Sequence, residues 1–165
     1  MLIGPPGTGK SYLASRLSRL VGTVLVQTDA IRKERFPRPT YSSKESAAVY
    51  AQAHRTIESA LSDRRDVVFD ATNLEEARRR TLYEIAERAG AALHLVWMWA
   101  PVAVIARRLW QRGVARDPED RSDANWSVYW DLAKTAQAPT RPFTVLNGTL
   151  AVQDQLAALK RVLGK

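Results

Sequence analysis

The stretch Gly4-Pro5-Pro6-Gly7-Thr8-Gly9-Lys10-Ser11 constrains this chain more than any other. It satisfies G-x-x-x-x-G-K-[ST]. Glycines at those positions let the backbone turn until consecutive N–H groups point into one concavity, and a helix beginning at Lys10 adds its positive end. Such a concavity fits the phosphates of a nucleoside triphosphate. Gly4, Gly7, Thr8 and Gly9 form the cradle, Lys10 reaches the β- and γ-phosphates, and the Ser11 hydroxyl binds Mg²⁺. A strand before the loop and a helix after it complete the context, so an incidental glycine turn is the weaker reading.

The rest of the chain alternates as this loop requires. Met1–Ile3 reads as a strand stub. Lys10–Val21 reads as a helix with Leu13, Leu17 and Leu20 on one face, and Thr23–Gln27 as a β-branched strand. Asp29–Phe36 is one or two helical turns, broken by Pro37 and Pro39. Ser43 caps a long helix through Arg64, with Ala47, Tyr50, Ala51, His54, Ile57 and Leu61 as its stripe. Asp66–Ala71 is a buried strand, Glu75–Ala89 a helix stopped by Gly90, and Ala92–Ala100 a strand. Pro101 opens a helix to about Arg112, and Gly113–Arg121 is a charged loop. Ser122 caps a helix to about Ala136, Phe143–Leu146 is the last strand, and Leu150–Leu163 the last helix.

Five strands alternating with helices predict an α/β fold, a parallel sheet with helices on both faces. Without a repeat, low-complexity tract or linker, residues 1–165 are expected to form one domain. The first strand is shorter than the usual five or six residues. Its start is expected upstream, with a trimmed strand as the alternative.

Charge narrows the partners. Lys plus Arg number 25 and Asp plus Glu 17, leaving a net +8, which favours anionic partners without choosing among them. The absence of Cys excludes disulfide scaffolds, thiolate zinc sites and cysteine nucleophiles, and is consistent with a cytoplasmic location. The opening residues lack a charged n-region and an apolar h-region, so no signal peptide is expected. The apolar run Ala91–Ala106 carries His94 and is interrupted by Pro101. It falls short of the roughly 20 residues that span a bilayer, so no membrane association is expected.

Three stretches bear on chemistry. Asp29, at the carboxyl end of the second strand, stands where open α/β sheets hold ligands. It can take a proton from an attacking hydroxyl, or it can simply cap a helix. Arg32, one turn on, can hold an anionic group of the acceptor. Asp70 ends the apolar run Val67-Val68-Phe69 and is placed beside Mg²⁺; Ala71 follows where hydrolytic motors usually carry Glu. Thr72 and Asn73 are either ligand-binding or turn-forming. Arg107, Arg108, Arg112, Arg116 and Arg121 surround Gly113 in a pattern that suits a lid, about residues 113–121, touching the triphosphate. Arg112 is the first candidate and Arg116 the second, against a solvated face paired with Asp117, Glu119 and Asp120.

The ordered set GPPGTGKS, TDAIR, DATNL followed by Arg78-Arg79, R-x-x-x-R-G and SDA resembles the small P-loop kinases of the polynucleotide 5′-kinase type, in the AAA_33 and zeta-toxin-like group. The resemblance runs from about Met1 to Tyr129. It implies a three-layer P-loop NTPase fold with sheet order 2-3-1-4-5, and Mg²⁺-dependent transfer of the γ-phosphate of ATP to a hydroxyl. It implies that Asp29 is the general base, Arg32 the acceptor-phosphate ligand, Lys10 and Ser11 the P-loop pair, and Arg112 the lid arginine. Asp70, Thr72 and Asn73 match a strand-end motif, with the roles of Arg78 and Arg79 open. No phosphatase or ligase domain is expected within these residues, and Arg35–Ser46 matches no readable pattern.

The charge excess tips the expected acceptor toward a nucleic-acid 5′ end. A small hydroxyl-bearing molecule is the alternative, and a nucleotide-binding regulatory module without an acceptor is a third reading. Tyr41 is a base-stacking candidate. Trp126 and Trp130, four residues apart, are read as packing, as are Trp97 and Trp99 in step with Leu93 and Leu95. His54 and His94 are read as structural, and no protein partner is indicated.

Overall fold

A computed structural model describes residues 1–114 and 126–164, with the side chains of 112–114 left out. The elements run β1 Leu2–Ile3, α1 Lys10–Val21, β2 Val24–Gln27, α2 Thr28–Arg35, α3 Ser43–Ser62 and β3 Val67–Asp70. They continue with α4 Glu76–Arg88, β4 Leu95–Trp99, α5 Val102–Val114, α6 Trp126–Lys134, β5 Phe143–Asn147 and α7 Val152–Leu163. The five strands form one sheet in the order β2-β3-β1-β4-β5, and every pairing is parallel. This is the P-loop NTPase arrangement the motifs imply.

Alternation along the strands explains the layers. Successive side chains point to opposite faces, so Val68 and Phe69 enter different cores. On one face Leu2, Val68, Val96, Met98 and Leu146 pack with Leu13, Ala14 and Leu17 of α1 and Leu159 of α7. On the other, Val26 and Phe69 pack with Ala53 and Ile57 of α3 and with Leu82 and Ile85 of α4, while Ile3 and Leu95 meet Leu74 and Tyr83. Each fully buried Val, Leu, Ile, Phe or Met among them contributes about 1.5–3 kcal/mol by leaving water. β1 sits at the centre with only two residues. The Val96 amide donates to the Met1 carbonyl at 3.0 Å, carrying the ladder one residue further.

Because the strands are parallel, their carboxyl ends share one edge. Leu2 is level with Asp70, and Asp70 with Gln27. The P-loop after β1, the start of α2 after β2 and the aspartate ending β3 are therefore neighbours.

Several boundaries differ from the sequence expectations. β4 begins at Leu95 rather than Ala92. The long helix is capped by Ser42, whose hydroxyl accepts from the Glu45 amide, not by Ser43. It ends before Arg64, which has a φ of 55°. α5 continues through Gly113 to Val114, so a helix occupies the first two residues assigned to the lid. The remainder of that loop, with Arg116, Arg121 and the Ser122 cap, lies outside the described residues. Trp99 is exposed rather than packed in the core. Trp126 and Trp130 are exposed to a similar degree, in ring contact with each other and with Tyr129.

Candidate active site

The P-loop is built from interlocking backbone contacts. Gly4 has a φ of 146° and donates its amide to the Thr72 carbonyl at 3.0 Å. A side chain there would stand 2.4 Å from the Met98 carbonyl oxygen. Thr8 is wholly buried, and its hydroxyl donates to the Pro5 carbonyl at 2.9 Å. The Lys10 ammonium donates to the same carbonyl, also at 2.9 Å, which holds it across the loop. Gly9, in the left-handed region, caps α1 and lets the helix start at Lys10.

The loop leans on two residues from elsewhere. Arg108 donates Nη1 to the Gly7 carbonyl at 3.0 Å and Nη2 to the Gly148 carbonyl at 2.8 Å. The sequence suggests Arg108 as a nucleotide contact; these two bonds tie it to the backbone of the P-loop and of the β5–α7 turn. Gly148 was not anticipated. Its amide donates to the Trp99 carbonyl at 2.8 Å, and a Cβ there would lie 1.9 Å from the Thr8 carbonyl oxygen. Only a residue without a side chain lets the β5–α7 turn approach the P-loop so closely. Asn-Gly in a turn was its only signal.

A cleft of about 660 Å³ opens at this sheet edge. Gly7, Gly9, Lys10, Ser11, Asp29, Arg32, Tyr41, Asp70, Thr72 and Arg78 all line it, so ten of the expected site residues share one wall system. Gly4, Thr8, Asn73 and Arg108 do not line it. Asn73 is buried at a φ of 49°, and its Nδ2 donates to the Leu2 carbonyl at 2.8 Å. Its side-chain amide thus braces β1. Arg112 lies on α5 with its side chain outside the described residues, as Arg116 is altogether.

Asp70 is nearly buried and accepts on Oδ2 from Gln27 Nε2 at 3.0 Å. A carboxylate and the Ser11 hydroxyl are hard oxygen donors on one cleft, a set that fits Mg²⁺ with water completing its shell. Among the described residues no group of three or more His, Asp or Glu could hold a metal by itself.

Beyond Asp29 the cleft is lined by residues of α2, α3, α4 and α6. Arg32 is buried and paired with Glu45 of α3, with Ser46 Oγ at 3.4 Å and the Tyr41 ring 4.6 Å from the guanidinium. Glu45 also accepts from the Thr40 amide at 2.7 Å and the Thr40 hydroxyl at 2.8 Å. Burial alone would raise its pKa, but Thr40 and Arg32 outweigh that and lower it from 4.5 to about 2. The Arg78 guanidinium lies 4.6 Å from the Tyr50 ring, with Glu75 at 3.6 Å. The Tyr50 phenol is pushed above its usual value by burial first and by Asp29, against Arg78 and a bond with Thr72. Val128, Asp131 and Leu132 of α6 and Thr135 just after it also line the cleft.

Glu45, Tyr50 and the α6 wall escaped sequence reading. Ser42-x-x-Glu45 is a capping-box spacing that could have flagged Glu45. Tyr50 was hidden in the core stripe of α3, because a helix rim serves core and cleft alike. Arg79, whose role was open, is fully buried and belongs to the scaffold. It donates Nε to Glu76 at 2.7 Å, Nη1 to the Asn73 and Leu74 carbonyls at 2.7 and 2.9 Å, and Nη2 to the Gln137 and Ala138 carbonyls at 2.7 and 3.1 Å.

A family model described as an AAA domain (AAA_33) matches residues 1–139. An L-seryl-tRNA(Sec) kinase from Methanococcus maripaludis is 26% identical over 144 residues, covering 80% of this chain and 55% of that protein. The chain thus spans about half the length of that curated relative. Among solved structures, a Mycobacterium tuberculosis APS kinase in complex with AMPPNP and APS superposes with a TM-score of 0.72 at 18% identity, covering 99% of this chain and 95% of the other. A sugar kinase from Janibacter sp. HTCC2649 also gives 0.72 at 14% identity, covering 99% and 92%. These likenesses establish the shared fold. No helix among the described residues is long and apolar enough to cross a membrane.

Proposed function

The chain belongs to the AAA_33 family, and on that premise we propose that it is a kinase moving the γ-phosphate of ATP to an acceptor hydroxyl. The observation that carries this is the convergence of Lys10, Ser11, Asp29 and Asp70 on one cleft whose lining extends past Asp29 to Arg32, Tyr41, Tyr50 and Arg78, the part we take as the acceptor chamber. A hydrolase needs no such chamber, and the kinases named above show that this fold suits the chemistry.

In this reading the P-loop amides and Lys10 hold the triphosphate. Ser11 and Asp70 hold Mg²⁺, which when bound neutralises charge on the β- and γ-phosphate oxygens. Asp29 accepts the hydroxyl proton as the acceptor oxygen forms its bond to the γ-phosphorus; the bond from that phosphorus to the β,γ-bridging oxygen breaks, and ADP leaves with the electron pair. Arg112 is assigned to the charge on the transferring group. Arg108 acts one step back, through the Gly7 carbonyl.

The acceptor that fits best is a compact hydroxyl-bearing molecule. The chamber is walled by α6, and it presents the hydroxyls of Thr28, Ser43, Ser46, Tyr50, Thr72 and Thr135. A polynucleotide 5′ end is the second reading, favoured by the net charge of +8. That excess belongs to the whole chain, however; lining the cleft, Lys10, Arg32 and Arg78 stand against Asp29, Asp70, Glu75 and Asp131.

γ-Labelled ATP offered with sugars, nucleosides and antibiotics, and in parallel with 5′-hydroxyl oligonucleotides, tests both. Label on a small acceptor supports the first reading and label only on the oligonucleotide the second. Asp29→Asn should lower transfer by about 10²–10⁴-fold with ATP binding nearly unchanged. Turnover that ignores both acceptors and Asp29 would replace the kinase with a hydrolytic or regulatory module.

A further inference from the structure

We propose that Glu45 sets the charge of the acceptor: by neutralising Arg32 it makes the chamber select an uncharged hydroxyl compound over a phosphorylated one. This rests on the phosphotransfer reading of the cleft and deepens it.

A lone arginine one helical turn past the base would be a receptor for an anionic acceptor. Here the guanidinium is already engaged. Glu45 takes Nη1, Ser46 meets Nη2, and Tyr41 covers one face. Arg32 Nε is sealed from solvent with no hydrogen-bond partner among the described residues. Both side chains of the pair are nearly inaccessible, 8% and 5% exposed. Little water competes with their attraction, and separating them would strand two buried charges.

The pair is also locked from behind. Thr40 binds Oε2 of Glu45 through both its amide and its hydroxyl, while Arg32 holds Oε1. Tyr41, next to Thr40, adopts a φ of 55°, a conformation uncommon for a bulky residue, and its ring lies over Arg32. The turn before α3 thus fixes the carboxylate and the ring together. Thr40 and Arg32 together hold the Glu45 carboxyl below its usual range, against the effect of burial.

Charge around the chamber agrees. On the acceptor side Arg32 and Arg78 line the cleft with Asp29 and Glu75, and Glu45, buried behind Arg32, adds a third negative group against the two positive ones. Asp131 on the opposite wall has Lys134 at 3.8 Å. A phosphate monoester, carrying about −1.5 to −2 at neutral pH, would meet a surplus of its own sign. A neutral hydroxyl compound meets remaining Arg32 N–H donors and the serine, threonine and tyrosine hydroxyls, which bond well to uncharged oxygen.

Calorimetry with inorganic phosphate as the probe tests this. The protein is first saturated with Mg²⁺ and AMPPNP, so that the P-loop is filled. The unmodified protein should then show no millimolar phosphate binding at the chamber. Glu45→Gln keeps the shape and removes the charge, and should gain phosphate affinity by about tenfold or more. Arg32→Gln added to Glu45→Gln should abolish that gain. Phosphate binding to the unmodified protein as tight as to Glu45→Gln, lost on adding Arg32→Gln, would overturn the proposal. So would a folded Glu45→Gln protein with no gain. If Glu45→Gln fails to fold, the titration of the unmodified protein decides alone, tight binding overturning the proposal and its absence supporting it. Failure of AMPPNP itself to bind would sink the phosphotransfer reading instead, at the separate first step.

Discussion

Replacing Arg79 with methionine should destabilise the fold more than any substitution of a surface arginine. Methionine nearly fills the same space, so the loss isolates the guanidinium. That group is fully buried and makes five hydrogen bonds. Bonds to a charged donor contribute about 1.5–3 kcal/mol each, and five summed independently would rival the whole stability of a domain, about 5–15 kcal/mol. They are not independent, since one group makes them all. Breaking a buried ion pair from one side costs about 3–5 kcal/mol, which is the better guide. Glu76 retains Thr140, but four carbonyls lose their donor. For a chain of this length that corresponds to a fall in melting temperature of roughly 6–20 °C. Thermal unfolding followed by circular dichroism reads it directly. Arg79 also ties the loop after β3 to the segment after α6, so phosphotransfer should fall even at temperatures where the variant is folded. An Arg79→Met protein within about 1 kcal/mol of the parent in urea unfolding would refute the assignment of Arg79 as the clamp between these walls.

Two further outcomes follow from the same geometry. Gly148→Ala forces a Cβ onto the Thr8 carbonyl; ATP affinity should drop by about tenfold or more with the sheet intact, and unchanged affinity would show that the turn yields at no cost to the P-loop. Glu45 has its pKa lowered to about 2, so its stabilising contribution is complete above pH 4.5 and is lost as pH falls toward 2. Glu45→Gln should remove that part of the acid sensitivity, and parallel acid-unfolding curves for the two proteins would contradict it.

The motifs were legible because they are local. Consecutive glycines and a lysine define the P-loop within eight residues, and Asp29 and Asp70 stand at strand ends that hydrophobic patterning marks by itself. The topology followed from the resemblance those motifs carry. What stayed hidden depends on contacts across the chain. Glu45 gains its meaning from Arg32, thirteen residues away on another helix. Gly148 matters through Thr8, and Arg79 through carbonyls near residue 138. Asn73 carried a ligand-like position in sequence but a bracing one in space, since only the fold brings Leu2 to its amide. Net charge was the least informative signal, because a sum over the whole chain does not say which charges line the cleft.

The central claim is that one cleft aligns a triphosphate on the P-loop with the Asp29 carboxylate. A crystal structure of the Mg²⁺–AMPPNP complex measures this directly. The account predicts the γ-phosphoryl group beside Lys10, with its phosphorus facing Asp29 across a gap the size of one hydroxyl group. A triphosphate bound away from the P-loop, or an Asp29 side chain turned from the γ-phosphorus, would contradict it.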